Sequence, residues 1–120
     1  MKRIFFLLIF YLIFIFSGES QPCRNLPIKF NSYNHAITSI QNSSFIFRDE
    51  LPYGKSSWIR NANYYSCDGV YGYLVYTTNK GSRYIHEKVP LKVWKEFKTA
   101  GSSGSYYVNK IKGRYRLVTE

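Results

Sequence analysis

Hydrophobic and polar positions fall into a regular pattern only in the second half of the chain. Trp58 to Tyr65 is rich in rings, and Val70 to Thr78 is dense in Tyr, Val, Leu and Thr, residue types that suit a pleated surface. Ser82 to Val89 forms a third such run. Asp68-Gly69 and Asn79-Lys80-Gly81 separate the three, and glycine there supplies the positive φ that tight turns need. Loops this short cannot carry parallel crossovers, so the pattern predicts a three-stranded antiparallel meander. The period then changes. Pro90 opens a helical stretch, where its missing N–H costs nothing. At the helical period Val93, Trp94, Phe97 and Ala100 share one face, and Lys92, Lys95 and Lys98 lie opposite. Gly101 is the expected C-cap. A second short helix is expected over Tyr106 to Lys112, with Tyr107, Val108 and Ile111 inward. The fold class is therefore α+β: a meander, one helix and a second short helix.

The first half is different. Residues 21–55 are weakly patterned and read as an N-terminal extension packed on the organised unit. Leu26, Ile28 and Phe30 alternate as in a short strand or extended arm. Arg48 to Gly54 reads as a turn punctuated by Pro52 and Gly54. Residues 1–20 read as an export signal. Lys2 and Arg3 precede an unbroken apolar run of 13 residues, Ile4 to Phe16, and Ser17 to Ser20 is small and polar. A retained anchor is the alternative, although a span takes about 20 apolar residues. A lipoprotein fits poorly, because Pro22 stands beside Cys23. The organisation expected is signal 1–20, extension 21–55, organised domain 56–116 and tail 117–120.

Export decides how the two cysteines are read. In an oxidising compartment an even pair is most simply a disulfide. A Cys23–Cys67 bridge closes a loop of about 45 residues, for which the chain-entropy model gives roughly 4 kcal/mol. The alternative, a nucleophilic Cys67, has no evident base near it in sequence.

Composition sharpens the functional reading. The chain of 120 residues has 17 Lys+Arg against 7 Asp+Glu, a formal charge of +10. Without residues 1–20 the charge is +9, and the rings are mostly tyrosine. Residues 80–120 alone carry ten Lys+Arg and three Glu. Lys92, Lys95 and Lys98, continued by Lys110, Lys112, Arg114 and Arg116, suit a polyanion surface acting by charge and counterion release. A solvated face is the plain alternative. Tyr73, Tyr76, Tyr84 and His86 are candidates to stack on bases or sugars, or equally to face the core. Ser102 to Ser105 is either a connection between helices or a cluster of anion-binding N–H groups.

Catalytic signals are sparse. His35 and His86 are the two histidines. A small basic ribonuclease would need His86, Glu96 and Arg83 brought together. No phosphate loop, zinc-binding pair or nucleophile elbow occurs. No cofactor, metal or small-molecule substrate is expected.

The residues Ser56-Ser57-Trp58-Ile59, Gly81 to His86, Val89-Pro90 and Ala100 to Ile111 together resemble the KTSC domain family, named for a C-terminal extension of some lysyl-tRNA synthetases. The family pattern has paired serines, a central Tyr-x-Tyr, Val-Pro opening a helix and a Ser-x-Gly-x-Tyr-Phe-Asn-x-x-Ile stretch. Here Ser57, Val89, Pro90, Ser102, Gly104, Tyr106, Tyr107, Asn109 and Ile111 carry it. The second central tyrosine is His86, Tyr107 replaces the phenylalanine, and Val108 stands between Tyr107 and Asn109. The resemblance implies a small α+β module and suggests RNA binding. The expectation is an exported, non-enzymatic module that binds a polyanion or nucleic acid. A protein-interaction or structural role at the envelope, or attraction to an acidic surface, is the alternative.

Overall fold

The computed structural model describes residues 21–117 and 119. The expected export signal, residues 1–20, lies outside them. In chain order the elements are β1 (Gln21–Pro22), a 3-10 turn (Cys23–Asn25), α1 (Tyr33–Gln41), β2 (Ser43–Ser44), β3 (Phe47–Glu50) and β4 (Ile59–Ser66). Then come β5 (Tyr71–Thr78), β6 (Arg83–Pro90), α2 (Leu91–Thr99), α3 (Ser103–Tyr106) and a π-helical turn (Tyr107–Ile111). The class is α+β, as expected, but the sheet has four antiparallel strands in the order β3-β4-β5-β6. The extra strand comes from the extension. Phe47 pairs with Ser66 and Glu50 with Asn63. Short β1 and β2 form a separate parallel pair.

Both faces of the sheet are covered. Tyr64, Leu74, Tyr76 and Val89 face α2 and the C-terminal helical segment and bury Trp94, Phe97, Tyr107 and Ile111 with them. Tyr65, Val75 and Ile85 face the other way and pack with Phe30, Ala36, Ile37 and Ile40 of the extension. The extension is thus a structural layer. Its helix starts at Ser32, whose Oγ accepts the His35 N–H at 3.1 Å, a standard N-cap. Of the short strand or extended arm expected over Leu26 to Phe30, the strand does not form. Ile28 is 84% exposed, and Phe30 makes one isolated bridge, to Thr119.

Two bulges decide which side chains meet. Gly72 pairs with Val89 and Leu74 with His86, so Glu87 and Lys88 together oppose Tyr73. Lys88 takes φ 55 there. The extra residue resets the alternation, and both His86 and Val89 can face the C-terminal helices. A second irregularity between Ile59 and Asn61 does the same for Ile59 and Ala62.

Tyr64 fastens this layer. Its ring stacks on Trp94 with centroids 5.3 Å apart and planes at 13°. Such pairs contribute about 0.5–1.5 kcal/mol beyond burial alone. Its hydroxyl crosses β5 and donates to the Val89 carbonyl at 2.7 Å. Burial chiefly pushes the Tyr64 phenol up to about 12. The crossing is possible because residue 72 lacks a side chain. A Cβ there would overlap the Tyr65 carbonyl oxygen and come within 2.8 Å of Tyr64 Cζ.

Helix limits differ in detail from expectation. Pro90 is the N-cap of α2 rather than its first residue, and Ala100 is the C-cap. Gly101 does not adopt the left-handed conformation of a glycine cap. The second helical segment begins at Ser103, because Ser102 Oγ accepts the Ser105 N–H at 3.2 Å. The expected connection is therefore mostly helix. Cys23 and Cys67 are bridged, with Cα atoms 5.8 Å apart. Among the described residues no helix is long and apolar enough to cross a membrane.

Gly72→Ala is expected to lower unfolding free energy by at least about 1–3 kcal/mol, the range for overpacking, as read from urea denaturation. Replacing both cysteines by serine should cost about 2–4 kcal/mol in the same measurement.

Candidate functional site

The motif residues converge on one ring cluster between β4, β6 and the C-terminal helical segment. Ser56 Oγ accepts the N–H groups of Trp58 and Ile59 at 3.3 and 3.1 Å and shapes the entry to β4. Asn79 Nδ2 donates to the Ser57 carbonyl at 2.7 Å. The Ser103 N–H bonds the Lys55 carbonyl at 3.2 Å, and its hydroxyl bonds the Phe97 carbonyl at 2.8 Å. These contacts press the start of α3 onto Trp58. A Cβ at Gly104 would overlap the indole nitrogen and reach Ser56 Oγ at 2.9 Å. Gly104 is thus set by close approach.

Tyr76 lies at the centre of the cluster. Tyr107 is 4.7 Å away edge-on, Tyr84 is stacked at 5.1 Å, and His86 is near-parallel at 6.0 Å. Trp58 meets Tyr76 and Tyr107 edge-on. His86 Nδ1 is 3.0 Å from the Tyr115 carbonyl oxygen, and Nε2 is 3.0 Å from the Tyr107 hydroxyl. A carbonyl can only accept, so neutral His86 carries its proton on Nδ1 and Nε2 accepts from Tyr107. The result is a directed chain from the Tyr107 hydroxyl through His86 to the Tyr115 backbone. Tyr76 meets Tyr107 through the edge-on contact of their rings. Burial first, and then the neighbouring Tyr107, push the Tyr76 phenol well above its ordinary value. Burial holds His86 below 6.5, opposed by its bond to Tyr115.

For His86, a candidate either for a binding surface or for the core, the structure selects the core. The residue is 8% exposed, because the β6 bulge keeps it on the helix-covered side and both ring nitrogens are used within the fold. Tyr84, one turn of the pleat away, keeps 43% of its surface exposed. Glu96 accepts the Tyr106 hydroxyl at 2.6 Å on α2, while Arg83 is exposed at the start of β6.

The basic residues divide between the two edges of the sheet. Lys98 Nζ pairs with Asp49 on edge strand β3 at 2.9 Å. Trp94 Nε1 donates to the same carboxylate at 2.9 Å. Burial pushes the Asp49 carboxyl up, but these bonds outweigh it and hold it below its ordinary value. Lys98 is therefore spent within the fold, and Lys92 and Lys95 stay exposed on the same helix. At the opposite edge the chain turns at Gly113, with φ 80, and runs back along β6. The Glu87 N–H bonds the Tyr115 carbonyl at 3.2 Å, and Arg116 bridges His86. Lys110, Lys112, Arg114 and Arg116 are all exposed here, as is Asn109.

Sequence reasoning missed Tyr33. It is the first residue of α1 and 45% exposed, and its hydroxyl reaches the Ile85 carbonyl of β6 at 3.5 Å. The available signal was the Ser32 cap followed by Ala36, Ile37 and Ile40 at helical spacing. Tyr33 thus reaches the same strand, β6, that carries Arg83 and Tyr84 and that Arg116 bridges. Among the described residues no His, Cys, Asp and Glu cluster could hold a metal ion.

His86 makes stability depend on pH in a definite direction. Its folded pKa lies below its unfolded one, so the unfolded state binds more protons in between. The stabilisation is complete above about pH 6.5, the unperturbed histidine value, and is lost as pH falls through that window. Thermal melts from pH 7.5 to 5 should show this decline, and His86→Gln should flatten it.

No curated protein and no solved structure matches the chain. A family model for the KTSC domain matches residues 55–115. That match spans β4 to β6, both C-terminal helical segments and the ring cluster they enclose, and it shows that the chain belongs to the KTSC domain family.

Proposed function

We propose that this protein is an exported, non-enzymatic KTSC-type module that binds a polyanion, nucleic acid included, through its β6 edge. The observation that carries the reading is the docking of Tyr115 and Arg116 along β6. It lays Arg116 alongside β6, the strand that carries half-exposed Tyr84, and Lys110, Lys112 and Arg114 precede it as exposed residues of the same segment. Cations of this kind hold phosphates or carboxylates without reading sequence, and ring faces add sequence-tolerant stacking. The disulfide is compatible with an oxidising compartment. The non-catalytic reading rests on His86 and Glu96, each engaged by other partners within the fold.

A second reading, a protein-interaction module, is favoured by one feature. Exposed Ile28, Ile46, Val70 and Tyr71 lie in the segments around the Cys23–Cys67 bridge.

Binding to a fluorescent oligonucleotide across a salt series separates the two. The polyanion reading expects affinity to fall steeply with salt, with a log–log slope of about −0.7 per phosphate neutralised on a single strand. Lys110, Lys112, Arg114 and Arg116 changed together to Gln should flatten that slope. Lys92→Gln with Lys95→Gln should leave it nearly unchanged. Absence of binding at low salt would remove the reading.

A further inference from the structure

Beside this basic edge lies a groove of about 440 Å³ between α1 and the β5–β6 turn, lined by Tyr33, Asn34, Ile37, Thr38, Gln41, Gly81 and Arg83. That size falls in the about 300–1,000 Å³ range of small-ligand sites. One wall comes from the extension, outside the family-matched residues 55–115. The other comes from the start of β6. Gly81, at φ 90 and with open space where a Cβ would be, narrows neither wall.

The lining is specific in its chemistry. Asn34 and Gln41 each offer an amide that both donates and accepts, and Thr38 adds a hydroxyl. All three are exposed along one side of α1. Arg83 brings a planar fork suited to a carboxylate or phosphate. No acidic residue lines the groove. Lys98–Asp49 is the ion pair found among the described residues, so the Arg83 guanidinium has no carboxylate partner there. One aromatic ring, Tyr33, lines the groove, and its hydroxyl is directed to the Ile85 carbonyl.

We propose that this groove binds a carboxylated sugar unit of an acidic polysaccharide. Arg83 takes the carboxylate, Asn34, Thr38 and Gln41 take ring hydroxyls, and Tyr33 offers its face to the C–H side of the sugar. A nucleobase is the poorer fit. Sequence-tolerant strand binding uses successive stacking rings, and Tyr33 is the one ring in this lining. The assignment rests on the polyanion reading and narrows it. The flanking cations at Lys110 to Arg116 would hold neighbouring acidic units of the same chain.

The test is ¹⁵N-resolved NMR titration of the purified protein with tetragalacturonate, maltotetraose and an oligothymidylate. The expected result is that tetragalacturonate shifts the signals of Asn34, Thr38, Gln41, Gly81 and Arg83 and that maltotetraose binds far more weakly. Arg83→Ala and, separately, Gln41→Ala should each weaken tetragalacturonate by roughly tenfold, the scale of one charged or well-placed polar contact. Both side chains are exposed, and an unchanged melting temperature confirms that the variants are folded. Oligothymidylate binding through Lys110 to Arg116 with no response to tetragalacturonate overturns the sugar assignment and leaves the polyanion reading standing. Failure of both ligands overturns both. Oligothymidylate shifting the groove residues and displacing tetragalacturonate makes nucleic acid the occupant. Tetragalacturonate binding undiminished in both variants places the sugar elsewhere and overturns the site.

Discussion

Strand β5 sends Leu74 and Tyr76 toward one helical layer and Val75 toward the other. A strand that is apolar on both sides cannot face water on either. Everything else follows from that constraint. The family-matched residues 55–115 supply a cover for one side, through Trp94, Phe97, Tyr107 and Ile111. They supply none for Tyr65, Val75 and Ile85. The extension meets that need with Phe30, Ala36, Ile37 and Ile40, and in doing so brings Tyr33, Asn34, Thr38 and Gln41 to the β6 side. The same burial requirement that completes the core also creates the groove.

The meander and the first C-terminal helix were legible because their signals are local. Asp68-Gly69 and Asn79-Lys80-Gly81 fix turns whatever surrounds them, and Trp94 and Phe97 repeat at helical spacing. Strand β3 was hidden because Phe47-Arg48-Asp49-Glu50 reads as charged loop. Its polarity is resolved only across the fold, where Asp49 meets Trp94 and Lys98 and Arg48 lies over the Tyr65 ring at 5.0 Å. Helix α1 was hidden by its Asn, Ser and Thr, which favour turns until a cap and a packing partner are present. The candidate site was half legible. The C-terminal cations were evident from charge, but their separation from the α2 lysines depends on sheet order, which charge does not encode. His86 could not be placed from alternation because a bulge changed the alternation two residues later.

The substitution of histidine at the second central position of the family pattern acquires a physical meaning in this setting. A tyrosine has one polar atom at its tip. His86 has two on opposite sides of its ring, and each is used: one toward Tyr107 in the helical layer, the other toward the Tyr115 backbone. The ring therefore couples the helices to the returning C-terminal segment that carries Arg114 and Arg116. Placement of the basic edge is thus linked to the core through one side chain.

The Cys23–Cys67 bridge also changes how the molecule would carry load. Cys67 sits at the β4–β5 turn, 44 positions from Cys23. Tension applied at Gln21 passes covalently across the sulfurs to Cys67 and bypasses the backbone of α1, β3 and β4. Residues 24–66, which include α1, β3 and β4, lie in a covalently closed loop beside that path, and the covalent line of tension continues into β5. The bridge therefore makes the extension a side loop of the covalent path rather than a link in it.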